Sequence, residues 1–259
     1  MNDNDSAMDR DEGQSPWSGI EFSGVTLVLG AGGGRLVELL AEQVTRADGL
    51  LLVADYQVGR LRALSAAGAA VQPLRARYRQ LPLLDRSVDL LVSNGVLRET
   101  PETHYERLFE EFWRVLADGG QLRISDILEP AEISSDDAWR ERNRLVRKLS
   151  ALLDRPAALS VNLTAAARAL RNVGYDDLGV NLLAGYPLTD GWLEETVNAV
   201  HGMAARLVDR AQRAEIIEHD VPRLIAAYAA GGQRAPERFV LSGRKIGSAA
   251  LDLEALAES

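Results

Sequence analysis

The sequence predicts an α/β fold: a mostly parallel, seven-stranded sheet with helices on both faces and a helical insertion before the last strand. Three observations predict it. Short apolar runs alternate with amphipathic stretches of helical period. The first apolar run leads at once into a glycine-rich turn. A long helical stretch then separates the last apolar run from the others.

Residues 1–16, "MNDNDSAMDRDEGQSP", read as a disordered acidic tail ahead of a single domain over 17–259. "VTLVLG" at 25–30 is the first buried strand. The helix after it sets Leu36, Leu39, Leu40 and Val44 on one stripe. "GLLLVAD" at 49–55 is the second strand, followed by a helix at 60–68 that Gly68 closes. "AVQPL" at 70–74 and "SVDLLVSN" at 87–94 are the third and fourth. Tyr105, Leu108, Phe109, Phe112 and Leu116 follow helical spacing, and "DGG" at 118–120 ends that helix. "QLRISDIL" at 121–128 is the fifth strand. A helix starts near Ser134 or Ser135 with Asp136 and Asp137 in its first turn, and runs to about Asp154. "LTAAARALRNVGY" at 163–175 is a helix and glycine turn, and "LGVNLLA" at 178–184 the sixth strand. Residues 190–231 are helical, with Leu193, Val197, Val200, Ala204, Leu207 and Ala211 on one face, and Asp220 with Pro222 opening a further helix. "RFVLSGRK" at 238–245 is the last strand, and "LDLEALAES" is a short helix or a frayed end.

The chain of 259 residues is 46% hydrophobic, has no cysteine and carries a net charge of -9. Without cysteine there are no disulfides, thiolate metal sites or cysteine nucleophiles. The acidic balance speaks against nucleic acid. No apolar run is long enough to span a bilayer, and the start has no secretory pattern. A cytoplasmic protein is expected.

The glycine turn carries the first functional signal. Gly30, Gly32 and Gly34 alternate between a strand and a helix, where backbone can approach a ligand and free N–H groups face it. A plain tight turn uses the same residues. Asp55 ends the second strand about twenty residues on, where a carboxylate accepts ribose hydroxyls or caps the next helix. The dinucleotide pattern G-x-G-x-x-G is not met, because Arg35 stands at its last position; G-x-G-x-G suits a ribose with a compact tail.

Residues 24–127 resemble the core of class I S-adenosylmethionine-dependent methyltransferases, in the subgroup with ubiquinone-type and arsenite enzymes. The resemblance rests on "LVLGAGGGRL", "LLVAD", "LPLLDRSVDLLVSNGVL" and "LFEEFWRVLADGGQLRISDI" in that order. It implies a Rossmann-like methyltransferase fold, S-adenosylmethionine as cofactor and methyl transfer to a small molecule. It implies cofactor contacts from Gly30, Ala31, Gly32, Gly34, Asp55, Tyr56, Tyr78, Ser93 and Asn94. Arg98, Asp126 and Tyr186 are the expected substrate contacts, and His104 and Glu99 the candidate bases. Arg98 offers a planar fork for an anionic acceptor. No metal site is expected from three histidines.

The sequence departs from that family twice. Val28 stands where an acid holds the cofactor's amino-acid end, and Arg77 or Tyr78 where an acid faces the adenine. A non-catalytic relative that binds a nucleoside or a partner chain is therefore the alternative. The absence of cysteine speaks against an arsenite reaction. The helical insertion at about 187–235 covers a substrate cleft, forms a homodimer interface, or packs on its own sheet.

Overall fold

A computed structural model describes residues 20, 22–30, 35–65, 71–128, 137–154, 161–231 and 234–247. The expected acidic tail, the Gly68 helix end and the last segment lie outside these residues. The chain divides into two compact units, one from residues up to Asp126, Asn162–Leu183 and from Phe239 onward, the other from Ile127–Val161 and Ala184–Arg238.

The first unit holds the sheet. Its strands are β1 (Val25–Leu29), β2 (Leu50–Asp55), β3 (Val71–Arg75), β4 (Val88–Asn94), β5 (Leu116–Ile127), β6 (Tyr175–Leu183) and β7 (Arg238–Lys245). The spatial order is β3-β2-β1-β4-β5-β7-β6. β3, β2, β1, β4 and β5 run parallel, and the sheet as a whole is mostly parallel. Strand order reverses between β1 and β4, and such a reversal opens a crevice at the carboxyl ends of the strands.

Helix α1 (Arg35–Arg46) and α2 (Val58–Ser65) cover one face. Val28, Leu51, Val53, Leu90 and Val92 of the strands pack there against Val37, Leu40, Val44, Leu61 and Leu64. The buried stripe of α1 is thus Val37, Leu40 and Val44; Leu39, expected on it, is 41% exposed. Spacing of three and four residues from Val37 selects the stripe, and Leu39 falls to its side. Helix α3 (Tyr105–Val115) buries Tyr105, Leu108, Phe109, Phe112 and Val115, and Trp113 meets Tyr175 edge-on at 5.0 Å.

Helix α3 ends at Val115, not at the expected "DGG". Lys245 closes it: its Nζ donates to the carbonyls of Trp113 and Leu116 at 2.9 and 2.7 Å, as a cation at a helix C-terminus should. Asp118, Gly119 and Gly120 lie inside β5, which starts five residues earlier than expected. Gly119 has φ +80°, and the β4–β5 register shifts between Val88 and Leu90, so the glycines make a bulge. Helix α5 (Leu163–Val173) ends as expected on Gly174, at φ +110°.

The second unit is helical. Helix α4 (Ala138–Leu152) begins later than expected, with Asp137 as its N-cap: Oδ1 accepts the Trp139 N–H at 2.7 Å. The helical stretch expected over 190–231 is three helices, α6 (Asp190–Ala204), α7 (Arg210–Glu215) and α8 (Val221–Ala229), with a π-turn at 216–220 before α8, which opens at Asp220 and Pro222 as expected. Asp209 breaks the run by accepting the N–H groups of Ala211 and Gln212. Ala211 is exposed, so the apolar face stops at Leu207. Val200, Ala204 and Leu207 pack with Ala138, Leu145, Leu149, Ile216, Val221 and Leu224. The stripe once open to a lid, a dimer or the sheet is covered inside this unit.

Candidate functional site

At the strand-order reversal, β1 ends on Gly30, which has φ +88° and donates its N–H to Ala54 O at 2.8 Å. A side chain there would be strained, because L residues rarely adopt this conformation. Its Cβ would stand 3.5 Å from the Tyr78 hydroxyl and 4.0 Å from Asn94 O. Three separate segments, the ends of β1 and β4 and the turn after β3, therefore meet around Gly30. Ala31, Gly32 and Gly34 lie outside the described residues.

Asp55, the last residue of β2, is fully buried. Its Oδ1 accepts the Gln57 N–H at 2.7 Å just ahead of α2, and Arg60 Nη1 stands 3.7 Å from Oδ2. Arg60 was missed in the sequence, where an arginine on a helix reads as solvated surface. Tyr56 is 48% exposed and sets its ring edge-on to Tyr78 at 6.2 Å. Burial pushes the Tyr78 hydroxyl far above the usual tyrosine range; Glu99, Asp55 and Tyr56 add to this and Arg60 opposes it. Tyr78 is therefore a neutral hydrogen-bonding group at any physiological pH.

The second half of the site follows β4 and β5. Ser93 is buried, and its Oγ has no partner among the described residues. Asn94 is exposed beside it. Gly95, at φ +86°, donates to Ser125 O at 2.9 Å and brings the chain over the end of β5. A Cβ at Gly95 would stand 2.9 Å from Arg98 Nη2. The Arg98 backbone N–H donates to Asp126 Oδ2 at 3.1 Å, and its Nε to Oδ1. Asp126 is fully covered. Arg98 thus points inward and ties the loop after β4 to the end of β5.

Glu99 reaches solvent on one side. Loss of hydration on the others raises its carboxyl above the usual range; Asp55 and Asp126 add, while Arg60 and Arg98 oppose. It makes no ion pair with a described residue. His104 sits apart, at the end of a 3₁₀ turn, with Nδ1 3.3 Å from Arg79 Nη1. Tyr186 belongs to the second unit, where Arg238 covers its ring at 5.3 Å. Val28 is fully buried among aliphatic side chains and Arg77 is exposed, so neither family position carries an acid. Among the described residues no acidic or histidine cluster has the geometry to hold a metal, and no helix is long and apolar enough to cross a membrane.

Comparison with known proteins adds an independent reading. Residues 27–124 match the family described as "Methyltransferase domain". The match runs from β1 into β5, the part of the chain that carries the glycine turn and the strand ends described above. An arsenite methyltransferase of Halobacterium salinarum is 39% identical over 56 residues, 22% of this chain and 14% of that protein. The matched stretch is thus a small part of that relative's length. The YcgJ protein of Bacillus subtilis shares the fold at TM-score 0.52 and 14% identity, over 89% of this chain and 95% of its own. A Haemonchus contortus phosphoethanolamine N-methyltransferase 2, solved with S-adenosyl-L-methionine, matches at TM-score 0.54 and 14% identity, over 89% and 50% of the two chains. At these identities the methyltransferase fold is what is shared.

Proposed function

We propose that this chain transfers a methyl group from S-adenosylmethionine to a small-molecule acceptor. The observation that carries the proposal is the convergence of Gly30, Asp55, Tyr78 and Asn94 at the strand-order reversal. The residues fit the nucleoside half of that cofactor. Gly30 leaves open backbone, Asp55 places a carboxylate at the end of β2, and the Ser93 hydroxyl lacks a partner among the described residues. The cofactor's amino-acid end has no carboxylate at Val28 to hold it.

When bound, the sulfonium supplies an activated methyl group, so the protein needs mainly to orient and to exclude water. Asp55 would hold ribose hydroxyls, and the Tyr56 and Tyr78 rings would flank the nucleoside. Arg98 and Asp126 fix the loop that would face the acceptor, and Glu99 is a carboxylate there with no ion pair among the described residues. The cysteine-free composition suits a reducing cytoplasm, and the charge of -9 speaks against nucleic acid. A homodimer would need a face of the 187–235 region other than the stripe already covered.

A second reading, nucleoside binding without turnover, is favoured by one observation: Val28, where an acid would hold the cofactor's amino-acid end, is fully buried among aliphatic side chains. Formation of S-adenosylhomocysteine, measured against pooled small-molecule acceptors, separates the two. Acceptor-dependent product supports transfer; binding with no product from any pool supports the second reading.

A further inference from the structure

We propose that the second unit holds a separate binding site for an apolar, anionic small molecule, in the cleft between residues 184–185 and 234–237. The cleft has a volume of about 460 Å³ and is lined by Leu128, Ala184, Gly185, Arg234, Ala235, Pro236 and Glu237. That volume lies in the range of small-molecule pockets, which pair apolar walls with a few polar groups.

The walls are fastened together. Ala235 N–H donates to Tyr186 O at 2.8 Å, Leu128 N–H to Glu237 O at 2.8 Å, and Arg234 Nη2 to Gly185 O. Gly185 admits no side chain, since a Cβ would stand 1.9 Å from Ala235 O. Behind Ala235 is an aromatic wall. Trp139 and Trp192 stack at 5.9 Å, and Trp192 and Tyr228 at 6.2 Å; Ile127 and Leu188 complete the cluster. A cleft backed this way is preformed, which lowers the ordering cost of binding.

Charge and hydrogen bonding select the ligand. Arg234 on the lining and Arg238 next to it outnumber the one carboxylate, Glu237. Three buried donors of this unit have no partner among the described residues: Trp139 Nε1, on a side chain 4% exposed that packs against Ala235, Arg238 Nε, next in sequence to Glu237, and Arg213 Nε. An unmet buried donor is costly, and two of these belong to residues that adjoin the lining residues Ala235 and Glu237, which favours a ligand that brings an acceptor. No buried acceptor side-chain atom of this unit lacks a partner among the described residues, which favours a carboxylate over an amine. The site is independent of the nucleoside reading, because it needs no cofactor to bind.

Calorimetry with 1-naphthoate tests this, with 1-naphthalenemethanol as the uncharged arm and no S-adenosylmethionine present. Saturable naphthoate binding is expected, about tenfold or more tighter than the alcohol, from the worth of a bond to a charged group. Ala184→Phe, at an exposed lining position, should abolish it, and Arg238→Met should weaken naphthoate but not the alcohol. No saturation in the unaltered protein, equal affinity for the two probes, or unchanged affinity in folded Ala184→Phe would each overturn the proposal.

Discussion

Both units bury carboxylates, and they treat them differently. In the second unit Glu141 and Asp220 sit among three cations: Arg144 bridges both at 2.8 and 2.6 Å, Lys148 reaches Asp220 at 2.8 Å, and Arg223 reaches Glu141 at 3.0 Å. Charge is cancelled side chain by side chain, and α4 is clamped to the π-turn before α8. In the first unit Asp55 faces Arg60 and Asp126 faces Arg98 at the ends of strands, and both also accept backbone N–H groups. Around them Ser93 and Glu99 keep unmatched polarity. A network that cancels itself builds a scaffold; one left incomplete at strand ends is suited to a ligand.

The largest effect that should separate the two is on stability. Asp220→Ala leaves Lys148 and Arg144 without their shared partner and should cost about 3 kcal/mol, read from thermal or urea unfolding. Burial raises the Asp220 carboxyl, but the bonds from Lys148 and Arg144 outweigh it and hold it below the usual range. A lowered folded value means the stabilisation is complete above pH of about 4, the unfolded value, and is lost as pH falls through the folded one. A melt unchanged by Asp220→Ala at neutral pH contradicts the scaffold role.

Asp55→Ala should show the opposite balance. Cofactor affinity should fall by about 1.5–3 kcal/mol, while the lost cap before α2 costs only about 1 kcal/mol of stability. A folded variant that binds S-adenosylmethionine as before would remove Asp55 from the site and dissolve the contrast. The smallest effect is at Gly30. Gly30→Ala should lose about 1–2 kcal/mol of stability to the left-handed conformation alone, since its Cβ finds ordinary contacts at 3.5 and 4.0 Å. Melting temperature and cofactor titration on one sample show whether strain or ligand contact dominates.

What the sequence revealed follows the same divide. Strands β1, β2 and β4 were legible because buried parallel strands read as continuous apolar runs. The places of Asp55, Asn94 and Asp126 at strand ends were legible because each follows an apolar run, whereas Tyr78, in the turn after β3, was named by the family resemblance alone. The inward turn of Arg98 was not, since its partner Asp126 is 28 residues away. The clamp of Asp220 on Lys148, 72 residues away, was hidden for the same reason. Within the helical region, periodicity ran straight through Asp209, whose capping bonds stop the helix. The "DGG" glycines looked like a helix end and serve as a bulge, because a glycine at positive φ suits both.

The central claim is that the first unit's strand ends form a nucleoside site. Isothermal titration of the full chain with S-adenosylmethionine, and separately with S-adenosylhomocysteine, tests it most directly. The account predicts saturable one-site binding of both in the micromolar range, about -8 kcal/mol. No heat of binding for either ligand up to millimolar concentration would contradict it.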